Sequence, residues 1–301
     1  VICLGHLLDK DGKKMSKSLG NIVEPWGQMD KYGVDALRMW MYTVSQPGDS
    51  KNYDEKTVDE IVKKVFLILS NCIVFYETYK GEATYENSAE EVAKSSSNIL
   101  DKWVIALFHK MLGDGTGALD AYDTFRSARA IRDFCNDFST WYIRRSRDRF
   151  KSDDVEDRNN ALATTQYILT EFSKYLAPFA PFFAEEMYLK VTEGMSMESV
   201  HLEDWPKGES VSEELERENI LTKMENIRKL VTLGLEARQR AGIKVRQPLA
   251  KITITNHEFD SQYLDLLKDE INVKEVLFDK SLPEDGAVLD TEITAQLKEE
   301  G

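Results

Sequence analysis

Cysteine is scarce in this chain, with three in 301 residues. Cys3, Cys72 and Cys135 lie far apart and form no C-x-x-C pair, which leaves no disulfide framework and no visible zinc site. They read as buried, reduced thiols of a cytosolic protein. Long hydrophobic runs are also missing. The most apolar stretch, Val65 to Tyr76, is interrupted by Ser70 and Asn71 and is too short to span a bilayer. No signal peptide is expected from the sequence around Val1. The chain starts at Val1, directly in an apolar run, and is expected to be a piece of a longer protein. Positive charge is in deficit, with a net charge of −14 and a pI near 4.9. Such a field repels phosphates and argues against indiscriminate binding to DNA or any other nucleic acid. The acidic residues concentrate in stretches such as Glu209 to Glu218 and the C-terminal tail, leaving room for a local basic patch. Neither internal repeats nor low-complexity segments are present.

The positive features begin at Asp11. The run Asp11-Gly12-Lys13-Lys14-Met15-Ser16-Lys17-Ser18-Leu19-Gly20-Asn21 sets Lys14 and Lys17 three residues apart, among two hydroxyls and two glycines. A short loop of that composition suits a triphosphate. Each lysine is a compact point charge for phosphate oxygens, and hydroxyls and backbone N–H groups add donors. Cations placed where charge develops on a leaving phosphate stabilise it there more than in the ground state. A generic lysine pair at this spacing is usually a solvated turn; the pentapeptide Lys14-Met15-Ser16-Lys17-Ser18 is far less common.

That pentapeptide, followed by Leu19-Gly20-Asn21, resembles the second signature (KMSKS) of the class I aminoacyl-tRNA synthetases. Tyr32-Gly33-Val34-Asp35-Ala36-Leu37-Arg38 is similar to the segment after that signature in the branched-aliphatic subgroup. Pro25-Trp26, Trp141 to Arg147 and Arg238 to Leu249 resemble the isoleucyl enzymes, and valyl and leucyl enzymes usually differ at these points. The resemblance implies that Lys14, Met15, Ser16, Lys17 and Ser18 bind ATP, with Mg2+ accompanying it. Lys17 would contact the phosphates during amino-acid activation, and Lys14 would act beside it. It implies a helical anticodon-binding domain and tRNA(Ile) as partner. The other class signature, the HIGH motif, is absent, as are the amino acid pocket and editing domain. Isoleucine and ATP are therefore expected to react only with a missing catalytic half, and this portion alone is expected to be inactive. The shortage of cysteine resembles the enzyme group without a C-terminal zinc element, so no zinc site is expected here.

Periodicity predicts a mainly α fold. Val1 to Leu8 reads as a strand and Asp11-Gly12 as a two-residue hairpin turn; His6, alone on that strand, reads as structural. Pro25 suits the first turn of a short helix, Val34 to Tyr42 a second, and Pro47 to Ser50 a break. From Asp54 onward, Val58, Ile61, Val62, Val65, Phe66, Leu69, Cys72, Ile73 and Tyr76 give one helical stripe. Gly81 to Ser96 reads as a polar connection. Ser97 is the expected cap of a helix burying Leu100, Trp103, Val104, Leu107, Phe108 and Met111, which Gly113 to Gly117 ends. The longest helix runs from about Asp123 to Lys151, with Phe134, Phe138 and Tyr142 as its buried seam. Helices over about Asn159 to Leu176 and Phe182 to Val191 are separated by Pro178 and Pro181. An up-and-down bundle is the economical arrangement. Beyond Pro206 come a helix to Ala241 stopped by Gly242, a strand at Lys251 to Thr255, a helix to Glu270 and a strand at Val273 to Phe278. The expected organisation is a KMSKS-bearing tail of a Rossmann-like catalytic domain over residues 1–53. A helical-bundle anticodon-binding domain comes next over 54–206, and a small α+β module over 207–301.

The long helix carries the charge anomaly. Arg126, Arg129 and Arg132 step along it, and Arg144, Arg145, Arg147, Arg149 and Lys151 crowd its end. From Asp120 to Lys151, eight basic residues face five aspartates. Arginines at a helix C-terminus also complement its dipole, so a purely structural role has weight. Trp141 beside Arg144 and Arg145 favours RNA, because an aromatic ring stacks on unpaired bases while guanidinium groups hold phosphates. Arg126, Arg129, Arg132, Trp141, Arg144, Arg145 and Arg147 are accordingly the expected tRNA-binding residues. Two readings stand: the C-terminal part of an ATP-dependent isoleucine–tRNA ligase (or its valyl or leucyl equivalent), and a stand-alone tRNA-binding module derived from such an enzyme.

Overall fold

Asp35 and Arg38, two charged residues on one short helix, tie the start of the chain to a helix corner some 140 residues further on. A computed structural model describes residues 3–193, 197–208, 211–255, 259–283 and 286–300, without the side chains of 211–214. It divides into two compact units, residues 1–210 and 211–301.

The first unit starts with strand β1 (Leu7–Leu8), helices α1 (Pro25–Tyr32) and α2 (Val34–Thr43), and strand β2 (Lys51–Asn52). β1 is much shorter than the strand expected from the sequence, whose first two residues lie outside the described ones. It pairs in parallel with β2, not with the chain after the Asp11-Gly12 turn, where only an isolated Leu8–Lys14 bridge forms. Glu24 caps α1 by accepting from the Gly27 N–H at 2.6 Å, and Pro25 occupies its first turn. The next helical pieces are α3 (Glu55–Ile61), a π turn over Val62–Phe66, and α4 (Leu67–Tyr79), which bury Val58, Ile61, Val65, Leu69, Cys72, Ile73 and Tyr76 of the expected stripe and leave Val62 and Phe66, in the π turn, half-buried.

The stretch expected as a polar connection contains helix α5 (Ala89–Ser95), opened by a capping box between Ser88 and Glu91 and anchored by buried Ala93. Helix α6 (Ile99–Asp120) is capped by Asn98, not Ser97, and runs straight through Gly113, Gly115 and Gly117. The reason lies at Gly115. A Cβ there would lie 1.8 Å from the Tyr175 hydroxyl, so the residue is glycine for close helix approach, not for termination.

Helix α7 (Thr124–Asp137), a π turn over Phe138–Ile143 and the short α8 (Arg144–Ser146) make up the long helix. Its seam forms as expected. Phe134 stacks on Phe138 with ring centroids 5.8 Å apart, and Phe138 on Tyr142 at 5.7 Å. A 3-10 turn over Arg149–Lys151 comes next, then α9 (Val155–Leu176) and α10 (Pro181–Thr192). α9 packs on α5, α6 and α10 and buries Leu162, Ile168, Leu169, Phe172, Tyr175 and Leu176.

Asp35 Oδ2 accepts from the Phe183 N–H at 2.7 Å in the first turn of α10. Arg38 donates to the Phe179 and Pro178 carbonyls at 3.1 and 2.9 Å, at the end of α9. One turn of α2 thus satisfies an orphan N–H of α10 and two carbonyls of the connecting turn at the corner. Burial pushes the Asp35 carboxyl up, against the Phe183 hydrogen bond and the Arg38 charge.

In the second unit, α11 (Val211–Arg240) leads into strand β3 (Leu249–Ile254), α12 (Ser261–Ile271), β4 (Val273–Phe278), β5 (Ala287–Leu289) and α13 (Ala295–Glu300). β3 pairs in parallel with β4 and antiparallel with β5, so β3-α12-β4 is a crossover unit. Ile252, Ile254, Leu267 and Ile271 fill its core with Leu230 of α11.

The cysteines depart in part from the all-buried expectation. Cys72 and Cys135 are buried, whereas Cys3, just before the residues that hydrogen-bond to Pro47 and Lys51, is exposed. Burial pushes the Cys72 thiol up to about 12, and the Cys135 thiol well above its ordinary value.

Candidate functional site

The lysine loop is shaped by residues on either side of it. Asp9, just after β1, accepts the Asp11 and Lys13 N–H groups on Oδ1 at 3.0 and 2.8 Å. Gly12, at φ 76°, closes the turn by donating to the Asp9 carbonyl at 3.0 Å. On the far side, Asn21 Oδ1 accepts the Ser16 N–H at 2.9 Å. Its Nδ2 donates to Asp9 Oδ2 at 2.7 Å and to the Lys14 carbonyl at 3.3 Å. The Asn21 hydrogen bond, ahead of the backbone bond from Lys13, holds the Asp9 carboxyl below its ordinary value. Between these ends, Ser16 caps a 3-10 turn over Lys17–Leu19, accepting the Leu19 N–H on Oγ at 3.3 Å. Gly20, at φ 66°, ends the turn.

The outcome is a clasped loop with its charge turned outward. Lys14, Lys17 and Ser18 are exposed, and Met15 and Ser16 half-buried. The Ser18 hydroxyl lies 3.1 Å from that of Ser16. Neither Lys14 nor Lys17 forms an ion pair among the described residues. Chemically, this is two ammonium groups and two hydroxyls on a short segment with its backbone carbonyls partly satisfied from within. It is suited to a polyanion and carries no general base.

The arginines of the long helix do not form one patch. Arg126 and Arg129 are exposed and line an open cleft of about 470 Å³ that also holds Asp114, Asp123 and Asp133. The Arg129 guanidinium sits 4.9 Å from the Phe125 ring, and half-buried Arg132 reaches Asp133 at 3.4 Å. Arg144, Arg145 and Arg147 come some 18 residues after Arg126, roughly 27 Å along the axis at the α-helical rise. Arg144 and Arg147 are exposed, and Arg145 is half-buried. Arg144 Nε donates to the Thr140 carbonyl at 2.7 Å, which fixes its stem across the π turn. Trp141 is half-buried, set edge-on against Trp103 at 6.5 Å.

Arg149 is used inside the protein, whereas Lys151 is exposed. Arg149 is spent on buried Asp101 and on Asp157. Lys151 lies 5.7 Å from the Tyr79 ring. The remainder of the crowd gathers at the 144–147 end, beside Trp141.

A family model described as the anticodon-binding domain of tRNA ligase matches residues 101–254, just over half of the chain. The chain belongs to that family. A second model, of class I tRNA synthetases of the I, L, M and V group, matches residues 1–54, which carry the lysine loop. Among curated relatives, an isoleucine–tRNA ligase of Clostridium tetani is 37% identical over 93% of this chain. One of Dehalococcoides mccartyi is 36% identical over 97%. The chain spans 27% and 30% of the length of these two relatives. A solved LeuRS–tRNA–LeuAMS ternary complex of Agrobacterium radiobacter K84 aligns at 19% identity with a TM-score of 0.48. The match covers 68% of this chain and 24% of that one, and the overlay is too loose to carry a structural conclusion.

For a member of the tRNA-ligase anticodon-binding family, two loop residues stand out that the sequence alone does not assign. Asn21 stands there only as the end of a signature, and Asp9 lies outside it. The Asx pattern Asp9-x-Asp11-x-Lys13 is readable as a local turn. The 12-residue reach from Asp9 to Asn21 is not, because nothing in the spacing announces it. Asp35 and Arg38 likewise sit inside a recognisable run, and their grip on the α9–α10 corner appears only in three dimensions.

Proposed function

We propose that this chain is the C-terminal part of an isoleucyl-tRNA synthetase, which activates isoleucine with ATP and transfers it to tRNA(Ile) in the cytoplasm. Residues 1–53 would close the catalytic domain, 54–206 bind the anticodon, and 207–301 form an appended module. In this reading Lys17, with Lys14, holds the ATP phosphates with their Mg2+ and stabilises charge developing on them, and Ser16, Ser18 and the loop backbone add donors. Asp9 and Asn21 keep the loop in a shape that leaves both ammonium groups facing outward. Isoleucine itself would be bound in the catalytic half that these residues lack.

The observation that carries the reading is the clasped lysine loop, with both cations free of carboxylates among the described residues, on the same compact unit as the bundle. A relic loop would be under no pressure to keep that geometry. On the bundle, Trp141, Arg144, Arg145 and Arg147 form the face for the anticodon loop, the ring stacking on a base and the guanidinium groups holding phosphates. Arg126, Arg129 and Arg132 contribute less, because aspartates share their cleft.

The test is tRNA(Ile) binding at several salt concentrations by wild type and by Arg144→Ala with Arg145→Ala. The double variant should bind more weakly. The slope of its salt dependence should flatten by about 0.7 per lost phosphate contact on the single-stranded loop. Thermal stability should change little. Wild-type affinity and slope in the double variant, or its unfolding, would make this face structural.

A further inference from the structure

The segment Arg238 to Lys251 contains Arg238, Arg240, Lys244, Arg246 and Lys251 and no carboxylate, in a chain of net charge −14. Its structure explains how so much charge is arranged. Arg238 is only 1% exposed, yet among the described residues its guanidinium meets carbonyl oxygens and no acid. Nε donates to Ile271 at 2.7 Å, Nη1 to Lys244 at 3.1 Å and Gln247 at 2.9 Å, and Nη2 to Asn272 at 2.8 Å. Burial pulls its pKa down, but a guanidinium starts so high that it stays charged.

Asn272 completes the clamp. It sits in the left-handed region at φ 49°, which asparagine tolerates, and its Nδ2 donates to the Val245 and Arg246 carbonyls at 2.9 and 3.1 Å. Four successive carbonyls, from Lys244 to Gln247, are therefore turned inward onto two side chains. The negative ends of those peptide dipoles are absorbed by the protein. Outward go Lys244, Val245 and Arg246, all exposed, and neither cation forms an ion pair among the described residues. A turn bond from the Gln247 N–H to the Lys244 carbonyl at 3.1 Å fixes the two cations relative to each other. Residues two apart lie no more than about 7 Å from one another, comparable to neighbouring phosphates on a strand.

We propose that the loop 243–247, held from beneath by Arg238 and Asn272, is a second RNA-contacting element, with Lys244 and Arg246 on backbone phosphates. It rests on the reading that this chain binds tRNA and extends that reading to residues of the second unit. The loop offers cations and an aliphatic side chain but no aromatic ring, so it grips the backbone without selecting bases. An RNA strand is favoured over an acidic peptide because the family model that covers the loop is an RNA-binding one.

The experiment titrates the full 301-residue chain with a tRNA(Ile) transcript at four salt concentrations. Lys244→Ala with Arg246→Ala should weaken binding several-fold and flatten the slope of log K against log salt by about 1.4, two phosphates at about 0.7 each on a single strand. The melting temperature should be unchanged, and the loss should be equal for a transcript with a replaced anticodon. Arg144→Ala with Arg145→Ala is the comparator. If the Lys244/Arg246 variant keeps wild-type affinity and slope while the comparator loses both, this proposal falls and the role of the bundle stands. If the wild-type chain does not bind the transcript even at low salt, both fall. A Lys244/Arg246 variant that keeps tRNA but loses binding to polyglutamate assigns the loop to an acidic protein segment and overturns the proposal.

Discussion

Arg149 and Asp101 meet in parallel at the end of the bundle's aromatic seam, Nη1 donating to Oδ1 at 2.8 Å and Nη2 to Oδ2 at 2.7 Å. Tyr142 donates its hydroxyl to the same carboxylate at 2.9 Å, and Ser96 donates at 2.6 Å. Burial works against the Arg149 charge, but the hydrogen bonds and charge of Asp101 outweigh it and raise its pKa. Removing one partner of such a pair strands the other charge, at a cost of about 3–5 kcal/mol. Arg149→Met should lower the unfolding free energy by that amount in urea titrations. Combining it with Asp101→Asn should recover part of the loss. A single-variant cost below about 1 kcal/mol would mean that water screens the pair as it does at a surface.

The three glycines of α6 should behave differently. Gly115→Ala drives a methyl into the Tyr175 hydroxyl, which the Ser127 side chain holds at 2.6 Å, so a loss of about 1–3 kcal/mol is expected. Gly113→Ala and Gly117→Ala meet nothing within 4 Å and should stabilise by about 0.5–1 kcal/mol, through helix propensity. Melting curves of the three variants decide it. Equal effects at all three would refute the close-approach explanation.

Lys17 is expected to act on rate more than on affinity. In the full-length synthetase, Lys17→Ala should slow single-turnover adenylate formation on the order of a hundredfold while isoleucine affinity stays near wild type. Lys14→Ala should change the rate in the same direction. A variant with weakened isoleucine binding and undiminished adenylation contradicts the assignment.

The Asp9–Asn21 clasp has a pH signature. Because the folded-state carboxyl is depressed, its contribution is fully present above the unfolded-chain value and is lost as pH falls through the lower folded one. The loop should therefore be unchanged between pH 7 and about 5. The Asp11 and Lys13 amide resonances should titrate with a midpoint below the ordinary 3.8. Asn21→Ala should move that midpoint up. A wild-type midpoint at or above 3.8 would show that the clasp does not hold in solution.

The helical architecture is legible in the sequence because its signals are local and periodic. Phe134, Phe138 and Tyr142 recur every four residues, and that spacing alone stacks them. The lysine loop is legible as an uncommon motif. Features decided by distant partners are not. Gly113 to Gly117 resembles a stop because a glycine's reason, here Tyr175 on another helix, is invisible in its own neighbourhood. The short α5 is hidden although Ser88-x-x-Glu91 announces it, because polar composition outweighs the capping signal. β1 takes Lys51–Asn52 as partner instead of its own hairpin, since some forty residues of intervening chain bring β2 alongside. The arginines look like one face in the sequence, and only geometry shows that Arg149 is buried against Asp101 while Arg126 and Arg129 share a cleft with aspartates.

The contrast among the cysteines has a practical side. Two thiols are sealed in the bundle and shifted away from the reactive thiolate form, while Cys3 stands in solvent four residues before Leu7. A maleimide dye at neutral pH should thus attach at one position without any engineering of the sequence. That position lies on the segment leading into the clasped loop, so this 301-residue chain carries its own attachment point for a fluorescent reporter of the loop's response when a polyphosphate arrives.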